Sequence, residues 1–218
     1  MADRQAAHLQ RLLDEQVKAA LVEQVAGHGP AFSAVNELRW LTDVPHDVRQ
    51  RHPVNIESLG NNGSFVAVCP SLEYCVLWVR ATNRRYRAEF EQFLTRVYPQ
   101  VGVIPPGYHV DHLFNRKRAV ALGLAYIRMA LVPAGINISH GGGYERARTG
   151  MALGTPGRPR KLENVIMMKL LGFRSPPLSG VVTDEMQAFA ARFAAELNVT
   201  PAQILSEITN LVRHAAEG

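Results

Sequence analysis

The chain has 218 residues, of which 47% are hydrophobic and 20% charged, with a net charge of +5. That composition suits a folded chain with one large core. No apolar run approaches the roughly 20 residues that span a bilayer, and MADRQAAHLQRLLDEQ has no apolar signal core. A membrane partner is not expected, and location in the cytoplasm, or export without a cleaved signal peptide, is. Cys69 and Cys75 are too few for a disulfide framework or a structural zinc site. Both lie in apolar sequence and are expected to be buried, reduced thiols.

Charge is unevenly distributed. Between Arg80 and Arg174 stand 16 Lys/Arg and 5 Asp/Glu, a balance of +11, while the rest of the chain carries 8 basic and 14 acidic residues. A basic middle suggests an anionic partner, and nucleic acid rewards many cations at once. A solvated basic face is the bland alternative.

Taken in order, Leu9, Leu12, Leu13, Val17, Leu21 and Val25 recur at helical spacing, and Gly27 can end that helix. Residues 29–62 contain Pro30, Pro45 and Pro53 and read as an irregular wrap over the core. Asn61 to Gly63 form a turn signal, followed by two strands, SFVAVCP and EYCVLWVRA. TNRRYRAEFEQFLTRVYPQ predicts a helix, capped by Thr82 or Asn83 and stopped by Pro99. Tyr86, Phe90, Phe93, Leu94 and Val97 form its apolar face. Tyr74 and Trp78, like Tyr86 and Phe90, have core spacing rather than that of a base-stacking platform.

VGVIPPGYHVDHL is extended, RKRAVALGL a helical turn or loop, and AYIRMALVP a strand ending near Pro133. Asn137 and His140 share a face if the next segment is helical, although Gly141, Gly142 and Gly143 disfavour a long helix. KLENVIMMKLLGF reads as an amphipathic helix. The chain closes with the helices TDEMQAFAARFAAEL and TPAQILSEITNLVRHA, the second opened by a capping box from Thr200 to Gln203. The expected fold class is α+β, a small antiparallel β core surrounded by N- and C-terminal helices. Its segments are an N-terminal helix and wrap (1–62), a basic core (63–174) and a C-terminal helical pair (175–218), together one compact unit.

Cutting a phosphodiester requires a base to take a proton from water and a cation to stabilise the charged phosphorus centre. Histidine suits the first task, and a carboxylate with an imidazole can hold a metal for the second. HVDHLFNRKRA, His109 to Ala119, and GINISHGGG supply these types. Adjacent residues on a regular strand face opposite sides, so Asp111 and His112 serve one site only if the strand ends or bulges there.

The order Asp111-His112, Asn137, His140 resembles the HNH nucleases of the ββα-metal, or His-Me finger, superfamily. IRMALVPAGINISHGG is similar to their second strand and following turn. The resemblance covers about residues 109–150 and implies a ββα-metal-like hairpin within the β core. It implies that His112 is the general base and that Asp111 and His140 bind one divalent metal, Mg²⁺ first, Mn²⁺ or Zn²⁺ otherwise. Asn137 would orient the base, and Arg146 or Arg148 would neutralise phosphate. The basic run Arg116, Lys117 and Arg118 would join that contact. The spacing of Asn137 and His140 is shorter than in many members.

His109 shares a face with Asp111 and reads as structural support, Asn115 as a cap, and Glu145 as a salt-bridge partner for Arg146 and Arg148. HGGG lacks the G-x-S-x-G segment of an esterase but could form an anion nest. The leading expectation is a metal-dependent endonuclease acting on DNA rather than RNA, as a toxin with an immunity partner, a defence effector or a repair enzyme. The alternatives are a non-catalytic nucleic-acid-binding or assembly protein and, more weakly, a hydrolase or lyase of a small phosphorylated substrate.

Overall fold

The computed structural model describes residues 2–25, 32–42, 53–60, 62–142, 155–175 and 181–217. It is α+β, with an antiparallel sheet and helices against both faces. The strands are β1 (Phe32–Val35), β2 (Asn55–Leu59), β3 (Ser64–Cys69), β4 (Tyr74–Arg80), β5 (Tyr108–His112), β6 (Tyr126–Pro133) and β7 (Arg160–Lys161). The helices are α1 (Ala2–Val25), α2 (Arg39–Thr42), α3 (Tyr86–Val97), α4 (Arg116–Ala121), α5 (Ala134–Gly142), α6 (Asn164–Leu170), α7 (Asp184–Glu196) and α8 (Pro201–Glu217). None of the described helices is long and apolar enough to cross a membrane.

The strand order is β2-β3-β4-β6-β1-β7, and β6 serves two partnerships. Its first residues pair with β4 and β1, through Arg128↔Trp78 and Ile127↔Ala34. Its later residues pair with β5, from Met129↔His112 to Pro133↔Tyr108. The β2–β3 hairpin turns at Gly63, whose φ is +73°. That left-handed conformation favours glycine, and a Cβ there, 2.2 Å from Arg80 Nε, would also push the Arg80 side chain aside.

Residues 29–62 are not only a wrap. β1 lies inside the sheet and β2 pairs along β3 from Asn55↔Val68 to Leu59↔Ser64. Both strands are short, and their signal in sequence is swamped by the surrounding breakers. Helix α3 starts at Tyr86, later than the proposed caps. The Asn83 side chain accepts from the Arg85 backbone N–H (2.7 Å) and forms a turn ahead of the helix. The segment containing α6 is buried at Val165 through Lys169, not amphipathic. The capping box at Thr200 forms as expected, and a second cap that was not expected forms at Thr183. Thr183 accepts from Met186 N–H, and Thr200 and Gln203 make the reciprocal capping box.

Two hydrophobic layers flank the β5–β6 hairpin. On one side Val110, Met129 and Leu131 pack with Leu12, Phe90, Phe93 and Leu94. On the other, Ala130 and Val132 pack with Val17, Leu21, Met167, Phe193 and Ile208. The second cluster draws on the N-terminal helix, the central segment and the C-terminal helices, so the three segments share one core. Cys69 is buried and Cys75 half-buried, both unbridged, and burial pushes the Cys75 thiol up to about 11.

Helix α1 also completes the sheet. Leu131 N–H donates to Gln16 Oε1 (2.7 Å), and Leu131 C=O accepts from Gln16 Nε2 (3.1 Å). The buried amide thus replaces a strand on the flank of β6 that faces away from β5. Gln16→Leu leaves two buried backbone groups without partners, and a loss of about 2–4 kcal/mol is expected in urea denaturation. An unchanged midpoint would show that the amide contributes nothing net.

Candidate functional site

The hairpin places the candidate residues by simple alternation. Pairing from Tyr108↔Pro133 to His112↔Met129 runs without a register shift. Asp111 and His109 therefore share the face of Ala130 and Val132, and His112 shares that of Met129. The bulge that would bring Asp111 and His112 to one side is absent from β5.

On the Asp111 face, three links join β5 and α5 to their neighbours. Asp111 Oδ2 lies 2.7 Å from the ammonium of Lys169, which is completely buried at the end of α6. His109 Nδ1 lies 3.1 Å from Asn137 Nδ2, so the amide donates to the ring nitrogen. His140, fully buried on α5, has Nε2 2.9 Å from the carbonyl of Phe173, an acceptor, so Nε2 carries the proton. Asn137 thus contacts His109, and the expected bond from Asn137 to His112 is replaced by this one. Despite its glycines, α5 is helical through Gly142 and carries Asn137 and His140.

His112 occupies the opposite face. Its ring packs edge-on against Tyr86 of α3, with centroids 4.4 Å apart. Burial, then the nearby Arg116 guanidinium, pushes its pKa down to about 4. The imidazole is therefore neutral at physiological pH. Among the described residues its Nε2, which is buried, has no hydrogen-bond partner, the kind of group that calls for a functional or solvent explanation.

The basic residues divide. Arg84, Arg85 and Arg87, around the start of α3, and Lys117 on α4 are exposed. Arg116 donates to the Asn83 carbonyl at 3.4 Å and ties the two helix starts together near His112. Arg118 turns inward, over the Phe114 ring (5.1 Å) and 3.9 Å from Glu163. Asn115 caps α4 by accepting from Arg118 N–H (3.1 Å), as expected. Glu145, Arg146 and Arg148 lie outside the described residues.

The ligand set implied for a divalent metal does not fit this arrangement. Asp111 already faces an ammonium, and His140 Nε2 donates to a carbonyl. Among the described residues, no three His, Cys, Asp or Glu side chains converge as metal ligands. Sequence alone does not single out Lys169 and Phe173, which engage Asp111 and His140, or Tyr86, whose spacing fits core packing and which packs against His112. Lys169 gave one usable signal, a lysine within the apolar run VIMMKLL. No protein-family model matches the chain, and comparison with curated proteins and with solved structures finds no match.

The environment of His112 has a measurable consequence. Its imidazole binds a proton more weakly folded than unfolded, so stability falls as pH drops from the ordinary value of 6.5 towards about 4. An NMR titration of the ring should show a midpoint well below 6.5, and Tyr86→Ala, by admitting water, should raise it. A midpoint at the ordinary value in the wild type would refute the half-buried, neutral ring.

Proposed function

We propose that this chain is an endonuclease of HNH type that hydrolyses phosphodiester bonds of DNA, with His112 as general base. The observation that carries the reading is the half-buried, neutral imidazole whose buried Nε2 has no partner among the described residues, set beside two basic helix starts. In the proposed step His112 takes a proton from water as the water oxygen bonds to phosphorus. The opposite P–O bond breaks, and the leaving oxygen takes a proton from solvent water.

Charge supports an anion at this face. Arg84, Arg85 and Arg87 crowd the start of α3, where the helix dipole is already positive. Cations there do not help the helix, and a phosphate between them would relieve the repulsion. Arg116 and Lys117 extend the same positive surface towards His112.

One observation favours the second reading, a non-catalytic nucleic-acid-binding or assembly protein. Asp111 and His140, the residues matched to the family's metal ligands, both hold protein groups. That reading keeps the basic surface and discards the chemistry.

Plasmid cleavage separates the two. Purified chain should nick DNA, measured with EDTA and with Mg²⁺, Mn²⁺ or Zn²⁺, and His112→Ala should lose activity by about 10²–10⁴-fold. Full activity of that variant would eliminate the base, and salt-dependent binding without cleavage under any condition would favour the second reading. Replacing Arg84, Arg85 and Arg87 by Gln should weaken DNA binding and flatten its dependence on salt by up to about 3 in the log–log slope. An unchanged slope would move the DNA contact elsewhere.

A further inference from the structure

One short segment holds both residues that the HNH resemblance gives to the metal. Lys169, the penultimate residue of α6, ion-pairs with Asp111 on β5 at 2.7 Å. Phe173, four residues on, accepts a hydrogen bond from His140 on α5 at 2.9 Å. The backbone between them is fixed, with Leu171 N–H on Met167 O (2.9 Å), Gly172 N–H on Lys169 O (3.1 Å) and Phe173 N–H on Met168 O (3.0 Å). Ser175 N–H adds a bond to Ser139 Oγ on α5 (3.2 Å).

A metal in a ββα arrangement would do two things here. It would cross-link strand to helix through Asp111 and His140, and it would neutralise the Asp111 carboxylate. Residues Lys169 to Phe173 do both with protein groups. We propose that this turn takes the metal's place: Lys169 is the resident cation of Asp111, and the Lys169–Phe173 segment is the bridge between β5 and α5. The assignment rests on the HNH-type reading for what it replaces. Its physical content is the state of Asp111, which can be read without DNA.

Burial makes the assignment strict. Lys169 is completely buried, so it reaches no substrate itself and acts through Asp111 as a positioning residue. An ammonium at that depth is held only where a carboxylate or comparable partners compensate its lost hydration. A divalent ion added to Asp111 would meet that ammonium at contact distance, and like-charge repulsion in a buried setting is strong.

The test is metal binding by the full chain, followed by Mn²⁺ paramagnetic resonance and by thermal melting. Wild type should bind no Mn²⁺ through Asp111, and its melting temperature should not move with EDTA, Mg²⁺, Mn²⁺ or Zn²⁺. Lys169→Met should lower the melting temperature by on the order of 10 °C, because it removes a buried ammonium paired at 2.7 Å with the Asp111 carboxylate. It should then gain stability on adding Mn²⁺. Asp111→Asn with Lys169→Met should recover part of the loss and be indifferent to Mn²⁺. Recovery of the Mn²⁺ response only where Asp111 is present distinguishes cation replacement from simple packing.

Wild-type Mn²⁺ binding that Asp111→Asn abolishes would overturn the proposal, as would a folded Lys169→Met that ignores Mn²⁺. If Lys169→Met does not fold, the comparison of wild type with Asp111→Asn decides alone. Absence of DNA cleavage would count against the nuclease reading and leave these binding results to stand separately.

Discussion

The unbroken pairing of β5 with β6 governs where chemistry can occur in this protein. A strand in regular register sends neighbouring side chains to opposite faces, and β5 is regular through His112. Asp111 therefore enters the layer built by α1, α6, α7 and α8, and His112 enters the layer beneath α3. Five residues of ladder decide that the carboxylate meets Lys169 and the imidazole meets Tyr86. Helix α5 follows β6 directly, so Asn137 and His140 join the helical layer, and Asn137 reaches His109 instead of His112.

Much of the architecture was legible from local signals. The capping box at Thr200 and Gln203, the Asn115 cap and the β-branched runs of β3 and β6 each specify structure within a few residues of themselves. Strand β1 was not legible, because FSAV is four residues long and acquires strand character only by lying between β6 and β7. The end of α6 failed for a related reason. Its lysine enters the basic balance of the middle segment, and nothing near it in sequence names its partner, Asp111. The chemistry-bearing residue types could be picked out from the chain, but their partners depend on tertiary pairing.

The charge count shows the same divide. A balance of +11 from Arg80 to Arg174 describes sequence, not a surface. Arg128 and Lys169 are buried, Arg118 is largely so, and Arg96 is bonded to Glu57 and to the Ser58 carbonyl. Among the described residues, the basic side chains near His112 that face outward are those at the start of α3, with Lys117 and the half-buried Arg116.

The buried Asp111–Lys169 pair has no need to exist for stability. A well-packed apolar pair of similar volume would often be as stable or more so, because desolvating two charges offsets much of their attraction. The pair does fix orientation. An apolar contact tolerates small sliding of α6 against the hairpin, whereas an ammonium at 2.7 Å from one carboxylate oxygen, four residues from a carbonyl bound to His140, sets both spacing and rotation. Positioning β5 in this way also positions His112, the next residue on the same strand. The ion pair and the imidazole are thus carried by adjacent residues on opposite faces of one strand, whose position the ladder to β6 sets.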